Sequence, residues 1–367
     1  MKPSPLPTFL LAAAALGCGA GLAAQNFVVS PPQFATAESN SANDNPLGSN
    51  SPLVRYLQID EALPQRPLAI RGIAFRGNAD SNSYPVFRVE LDLGVSSPNA
   101  SAANPSPTFS ANHGRSGALV VARRILSFPS RPASRSLPLP FDYQIPFDAP
   151  FTVNGAICWE MKIYGRSNSS QVSFDAIDPT SSGANPMPAI LGFGSGCIAT
   201  GRTSPMTASG TLTVDWPNGN LRIGFGATQA PANALCLVAL GFSSSQWAGL
   251  PLPLAIPGSE SGSSGRCFVQ NELFTTIAGN SNASGIFFPP EMNLPLAPSH
   301  HGLAFFHHVV AFDAAANPFG VVTSNGMARQ LIAPSPNPGV SRVAFLGSHQ
   351  ATGIVNVGSG LVTRYDL

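Results

Sequence analysis

Four histidines fall within nine residues, His300, His301, His307 and His308, in the run HHGLAFFHH. Imidazole is the commonest protein ligand for zinc, and such density is unusual. The spacing nonetheless opposes a single site. Adjacent histidines on a strand point to opposite faces, and the stretch from His301 to His307 extends roughly 20 Å in β conformation. Residues 303–306 read as strand, so the expectation is no bound metal. The four histidines then form two surface or half-buried pairs flanking a buried strand. Only a sharp turn at Gly302 would bring them together.

Other chemistries find less support. No G-x-S-x-G elbow occurs; residues 258–262 have Glu260 where the nucleophile would stand. A His-Glu-x-x-His pair, a Walker loop and a dinucleotide fingerprint are all missing. Glu90, Asp92, Glu160 and Glu272 lie on predicted strands, and a glycosidase needs two carboxylates across a cleft. Glu90 and Asp92, however, share the wet face of an ordinary amphipathic strand. Asn78, Asp80 and Asn82 alternate as in a calcium loop but lack its sixth-position glycine and closing glutamate. They read as a turn. Arg115, Arg123, Arg124, Arg131 and Arg135 fall within 21 residues free of acid, a segment suited to anionic polymers or phospholipid head groups. In a chain with only two lysines, Lys2 and Lys162, the plainer reading is a solvated loop. Trp247 is better placed for packing than for stacking on sugars. No catalytic residue and no cofactor are expected.

The elements that would position such groups follow from composition. Charged residues make up 10% of the chain, against about 25% in an average soluble protein. With 35 Gly, 36 Pro, 23 Phe and a hydrophobic fraction of 44%, the sequence describes short strands joined by turns. The expected fold class is all-β: two consecutive antiparallel β-sandwich-like domains after a cleaved signal peptide. Residues 1–24 carry a positive start, an apolar run too short to span a bilayer and a small-residue exit. Lipoprotein anchoring at Cys18 is the lesser reading. A net charge of +1 offers nucleic acid no field, and no later apolar run is long enough for a transmembrane span.

An N-terminal domain is expected over 25–178, a linker over 179–189, and a C-terminal domain over 190–333. Residues 334–367 add strands that return to the first domain. The clearest strand is 86–93, with Phe87, Val89, Leu91 and Leu93 on one face and Arg88, Glu90 and Asp92 on the other. Residues 156–164 put Ile157, Trp159, Met161 and Ile163 inward and Cys158 outward, beneath a covering segment or the other domain. Asn325-Gly326 predicts a tight hairpin turn. Cys158, Cys197, Cys236 and Cys267 remain after cleavage, and an even count in an exported chain predicts two disulfides. Closing 31 residues or 70 differs by less than about 1 kcal/mol, so loop entropy leaves all three connectivities open.

Several motifs recur in order: Gly194-Ser-Gly-Cys197, the Leu250–Leu254 run LPLPL, Gly265-Arg-Cys267, the run DAAANPFG ending at Gly320, and Ser324-Asn325-Gly326. Over 190–333 this resembles the C-terminal domain of a group of exported, uncharacterised bacterial proteins of planctomycete type. The resemblance implies that Cys197 pairs with Cys267, leaving Cys158 for Cys236. It implies no activity, and it departs at His307-His308, where a glutamine-containing strand is expected. The expectation is therefore a secreted or cell-surface, non-catalytic structural or adhesive protein of the envelope or extracellular matrix. An extracellular carbohydrate-binding module, with polysaccharide as partner, is the alternative. A secreted carboxylate-dependent hydrolase is the third.

Overall fold

Alternation of apolar and polar residues builds the first sheet as the sequence predicts. In Phe87–Ser96, Phe87, Val89, Leu91 and Leu93 are buried while Arg88 is exposed. Its neighbour Ile157–Arg166 turns Ile157, Trp159, Met161 and Ile163 into the same core. The computed structural model describes residues 26–79, 85–131, 134, 136–167, 171–178, 189–259, 265–334 and 338–367. The predicted leader with Cys18, nearly all of the linker, and Asp80, Asn82, Arg135 and Glu260 lie outside these residues.

The protein is all-β and sandwich-like. Its first large sheet is antiparallel, in the order Ile354–Val357, Val340–Leu346, Val54–Asp60, Ile157–Arg166, Phe87–Ser96 and Ala118–Phe128. A four-stranded sheet packs against it, in the order Phe27–Ser30, Thr363–Asp366, Pro67–Phe75 and Tyr143–Asn154. Aromatic rings fill the space between. Trp159 stacks on Tyr56 at 5.3 Å and meets Phe75 at 5.7 Å, and Tyr143 meets Phe174 edge-on at 5.1 Å.

The second large sheet runs Ala189–Phe193, Gly326–Gln330, Ala304–Phe312, Leu235–Gly241 and Thr275–Asn280. Val321–Thr323 also pairs with Ala304–Phe312. Its core holds Val238, Val309 and Ala311 together with Leu221 and Ile223 from a small sheet of Leu212–Asp215, Asn220–Ile223 and Met292–Pro295. The Pro-punctuated excursion after Phe128 docks Leu137 and Leu139 on the opposite face of this sheet, beside Leu191, Phe193 and Phe306.

The Asn325-Gly326 turn is corrected. Val321–Thr323 and Gly326–Gln330 do not pair with each other; both lie along Ala304–Phe312, as one strand interrupted at residues 324–325. Ser324 fills the interruption, its N–H donating to the Val309 carbonyl and its hydroxyl accepting from the Val309 N–H at 2.8 Å. A type I′ turn needs left-handed backbone, and Gly326 is not among the positive-φ glycines. Glycine is required there for space: a Cβ would sit 2.2 Å from the Phe193 ring.

Candidate functional site

The predicted histidines do not converge. His300 and His301 sit in and just after the short 3-10 turn Pro298–His300. His300 Nδ1 accepts from the Ala297 N–H at 3.1 Å. His301 Nδ1 accepts from the Ala333 N–H at 2.9 Å, and its Nε2 faces the Gln33 carbonyl at 3.2 Å. His307 and His308 lie inside the Ala304–Phe312 strand, both wholly buried, rather than flanking it. Strand alternation sends them to opposite faces, His308 to Asn271 at 2.7 Å and His307 to the Phe225 ring at 5.1 Å. No group of three His, Cys, Asp or Glu suited to a metal occurs among the described residues.

The cysteines also need correction. Cys197 and Cys267 form a disulfide with S–S 2.09 Å. Cys158 and Cys236 are free, and each is buried in the interior of a different sheet. Cys158 does face a covering segment, but that segment supplies Ala102 and Phe109 rather than a thiol. Burial pushes both thiols above their ordinary range, with Glu160 adding to the effect at Cys158.

The carboxylates separate into surface and interior groups. Glu90 pairs with Arg123 at 2.9 Å, Asp92 accepts from the Tyr164 hydroxyl at 2.5 Å, and Glu272 accepts from the Phe242 N–H at 3.1 Å. The arginine-rich segment is acid-free only in sequence, since Glu90 and Asp148 reach Arg123 and Arg124 from neighbouring strands. Arg131 is buried, and Arg115 is exposed.

Glu160 belongs to a constellation that spacing does not reveal. Ser96 ends the Phe87–Ser96 strand, opposite Cys158 in register and so two residue-pairs from Glu160, on the same face. His113 follows the single turn Phe109–Asn112 and bridges back to Pro98. The Ser96 hydroxyl lies 2.8 Å from His113 Nδ1, and His113 Nε2 lies 2.9 Å from Glu160 Oε2. Arg55 Nε completes the chain on Glu160 Oε1 at 2.8 Å, with its guanidinium 4.2 Å above the Phe109 ring. Burial alone would raise the Glu160 pKa, but hydrogen bonds from His113 and Arg55 outweigh it and hold the carboxyl below its usual range. With Glu160 ionised, the hydrogen between them is carried by His113 Nε2, and Nδ1 shares a hydrogen bond with the Ser96 hydroxyl.

That connectivity is the order of a serine–histidine–acid relay. Acyl transfer also requires the serine oxygen to meet a carbonyl carbon. Ser96 is 0% exposed, closed in by its own strand and residues 97–116, so a substrate has no approach to it. What the array does is fasten that long segment to three strands.

A second interior cluster joins the end of the Pro67–Phe75 strand and the short strand Phe174–Ile177 to the Gly326–Gln330 strand of the second large sheet. Arg76 lies between Asp175 and Glu38, its Nε 2.6 Å from Asp175 Oδ2 and 3.9 Å from Glu38 Oε2. The Glu38 N–H donates to Gln330 Oε1 at 2.8 Å, and the Gln330 amide donates to the carbonyls of Thr36 and Gly302. Burial, reinforced by Asp175, pushes the Glu38 pKa up to about 8. Arg76 and Arg131 counter that rise only in part. Neither cluster is legible in the sequence, because each depends on tertiary contacts joining residues 17 to 292 positions apart.

No helix among the described residues is long and apolar enough to cross a membrane. In comparisons with protein-family models and with curated proteins, nothing matches this chain.

Proposed function

We propose that the protein is an exported, non-catalytic structural or adhesive component of the cell envelope or extracellular matrix. The observation carrying this reading is the closed Ser96–His113–Glu160–Arg55 array, whose groups are spent on one another and whose serine is buried. The Glu38–Arg76–Asp175 cluster supports it in the same way, tying segments remote in sequence instead of facing a cleft. A disulfide within the second core suits a chain that works outside the cytoplasm, as does the resemblance to exported bacterial proteins. The test joins localisation to reactivity. Fractionation should recover the mature chain outside the cytoplasm, and a fluorophosphonate probe should leave Ser96 unlabelled. Labelling abolished by Ser96→Ala would overturn the non-catalytic reading.

One feature favours the carbohydrate-binding alternative. An open groove of about 600 Å³ on the small sheet is lined by Thr213, Asp215, Asn220, Arg222 and Asn293, polar side chains suited to sugar hydroxyls. Binding on a glycan array that Asn220→Ala and Asn293→Ala abolish would select this reading over the structural one.

A further inference from the structure

A column of polar side chains crosses the apolar core of the first sandwich. Tyr56, Gln58 and Asp60 lie two residues apart on Val54–Asp60 and so share one face of the first large sheet. Thr363 and Tyr365 are related in the same way on Thr363–Asp366, in the four-stranded sheet. All five are 0% exposed. Gln58 Nε2 donates to the Leu361 carbonyl at 3.0 Å and reaches the Thr363 hydroxyl oxygen at 3.4 Å. The carboxamide carbon is one bond, about 1.33 Å, beyond that nitrogen. A hydroxyl therefore stands beside an electrophilic carbon that is 305 positions away in the chain.

The groups around that carbon are those an acyl transfer needs. Gln58 Oε1 accepts from the Tyr56 hydroxyl at 2.9 Å and from the Leu361 N–H at 2.8 Å. Two donors at such distances on one carbonyl oxygen constitute an oxyanion hole. The Leu361 backbone also fixes which end of the amide is oxygen, since its N–H faces one end and its carbonyl the other. Gly360 leaves room for the amide: a Cβ there would lie 2.7 Å from Oε1 and 3.0 Å from the carboxamide carbon. On the other side, the Thr363 hydroxyl interacts with that of Tyr365, which donates to Asp60 Oδ2 at 2.9 Å. Asp60 Oδ1 accepts from the Ser30 hydroxyl at 2.6 Å. Burial raises the Asp60 pKa to about 6, so the carboxylate is ionised at neutral pH yet basic enough to take a proton.

We propose that Thr363 and Gln58 form an intramolecular ester that ties together the two sheets of the first sandwich. Thr363 Oγ1 bonds to Gln58 Cδ while its proton passes through the Tyr365 hydroxyl to Asp60. The Tyr56 hydroxyl and the Leu361 N–H hold the negative oxygen of the tetrahedral intermediate. The Cδ–Nε2 bond then breaks, the proton returns from Asp60 to the nitrogen, and ammonia leaves. One hydroxyl and one carboxamide thus give one ester and one ammonia, with no oxidant, reductant or co-reactant. Placement by the fold substitutes for a collision, and burial shields the ester from water. The Ser96 array is closed to a substrate, whereas here the acyl group is built into the core. The event occurs once per chain, needs no external substrate and stands whatever the location of the protein.

Mass spectrometry of the whole purified protein, denatured and reduced, tests this. The intact mass should fall below the sequence value by one ammonia. Digestion with pepsin in acid, where an ester survives, should release the peptides containing Gln58 and Thr363 as one joined species. Hydroxylamine, which cleaves esters and spares amides, should separate them and leave a hydroxamate on residue 58. Thr363→Val should abolish the join, and Thr363→Ser, which keeps the hydroxyl, should retain it. Asp60→Asn should slow the appearance of the mass deficit after synthesis by about a hundredfold, the low end for loss of a general base. An unslowed join in that variant overturns the proton route. Where a variant fails to fold, the wild-type map decides. Full mass with separate peptides in the wild type overturns the proposal. So does Gln58 recovered as glutamate with no joined species, a join that resists hydroxylamine, or one that persists in Thr363→Val.

Discussion

Glu38→Gln turns the junction cluster into a measurement. In the folded chain Glu38 has a pKa of about 8, against 4.5 for the free side chain, because burial and Asp175 disfavour its ionised form. Between those values the native state holds a proton that the unfolded chain has released. The folded-state pKa is raised, so the contribution to stability is complete below about pH 4.5 and is lost as pH climbs toward 8. One retained proton corresponds to a slope of about −1.4 kcal/mol per pH unit, or about 5 kcal/mol across the window. Glutamine is uncharged at every pH and keeps an oxygen for the Leu139 N–H that Glu38 Oε1 accepts. Its profile should therefore lack this slope and cross above the wild type near the top of the window. Asp60, raised to about 6 by burial, adds a slope of the same sign at lower pH in both proteins. The assay is urea unfolding followed by tryptophan fluorescence at intervals from pH 5 to 8.5, reporting the difference between the two proteins. Parallel profiles, or a wild type that gains on the variant as pH rises, would mean Glu38 is ionised against Arg76 and would refute the argument.

Three other outcomes follow from particular contacts. Tyr365→Phe removes the hydroxyl that donates to Asp60 at 2.9 Å and accepts from Trp159 Nε1 at 3.2 Å, and should cost about 1–3 kcal/mol in chemical denaturation. A loss below 0.5 kcal/mol, on the order of a neutral surface change, would show the pair is not coupled. Alkylation after unfolding without reductant should modify Cys158 and Cys236 but not Cys197 or Cys267; peptide mapping that finds Cys158 protected would restore a second bridge. Gly326→Ala should lower stability by about 1–3 kcal/mol through its clash with Phe193, and Phe193→Leu in the same chain should recover part of that loss. Ordinary stability in the single variant would mean the ring moves aside freely.

The all-β class was readable because its signal is local. Phe87, Val89, Leu91 and Leu93, like Ile157, Trp159, Met161 and Ile163, announce their shared core by strict alternation. Asn325-Gly326 misled because the dipeptide's usual turn conformation competes with tertiary packing, and the Phe193 ring needs an extended glycine at that point. The buried histidines were misplaced for a related reason: polarity marked His307 and His308 as surface, whereas a sheet buried on both faces contains them. His113 gave no signal at all. It is a lone histidine in a Ser- and Pro-rich stretch. Its significance comes from what the fold brings beside it.

The position of Thr363–Asp366 has a consequence for how the molecule is made. This strand is hydrogen-bonded on both sides, to Phe27–Ser30 and to Pro67–Phe75. Residues synthesised first must wait for some of the last before their sheet can close, a pairing of high contact order that is slow to form. Until residue 366 is available, two strand borders of the opening segment stay uncovered and adhesive. A chaperone that shields early strands, or a delay of folding until the whole polypeptide has crossed a membrane, would suit this connectivity. A tag fused after Leu367 would burden the first-made half of the protein rather than the second.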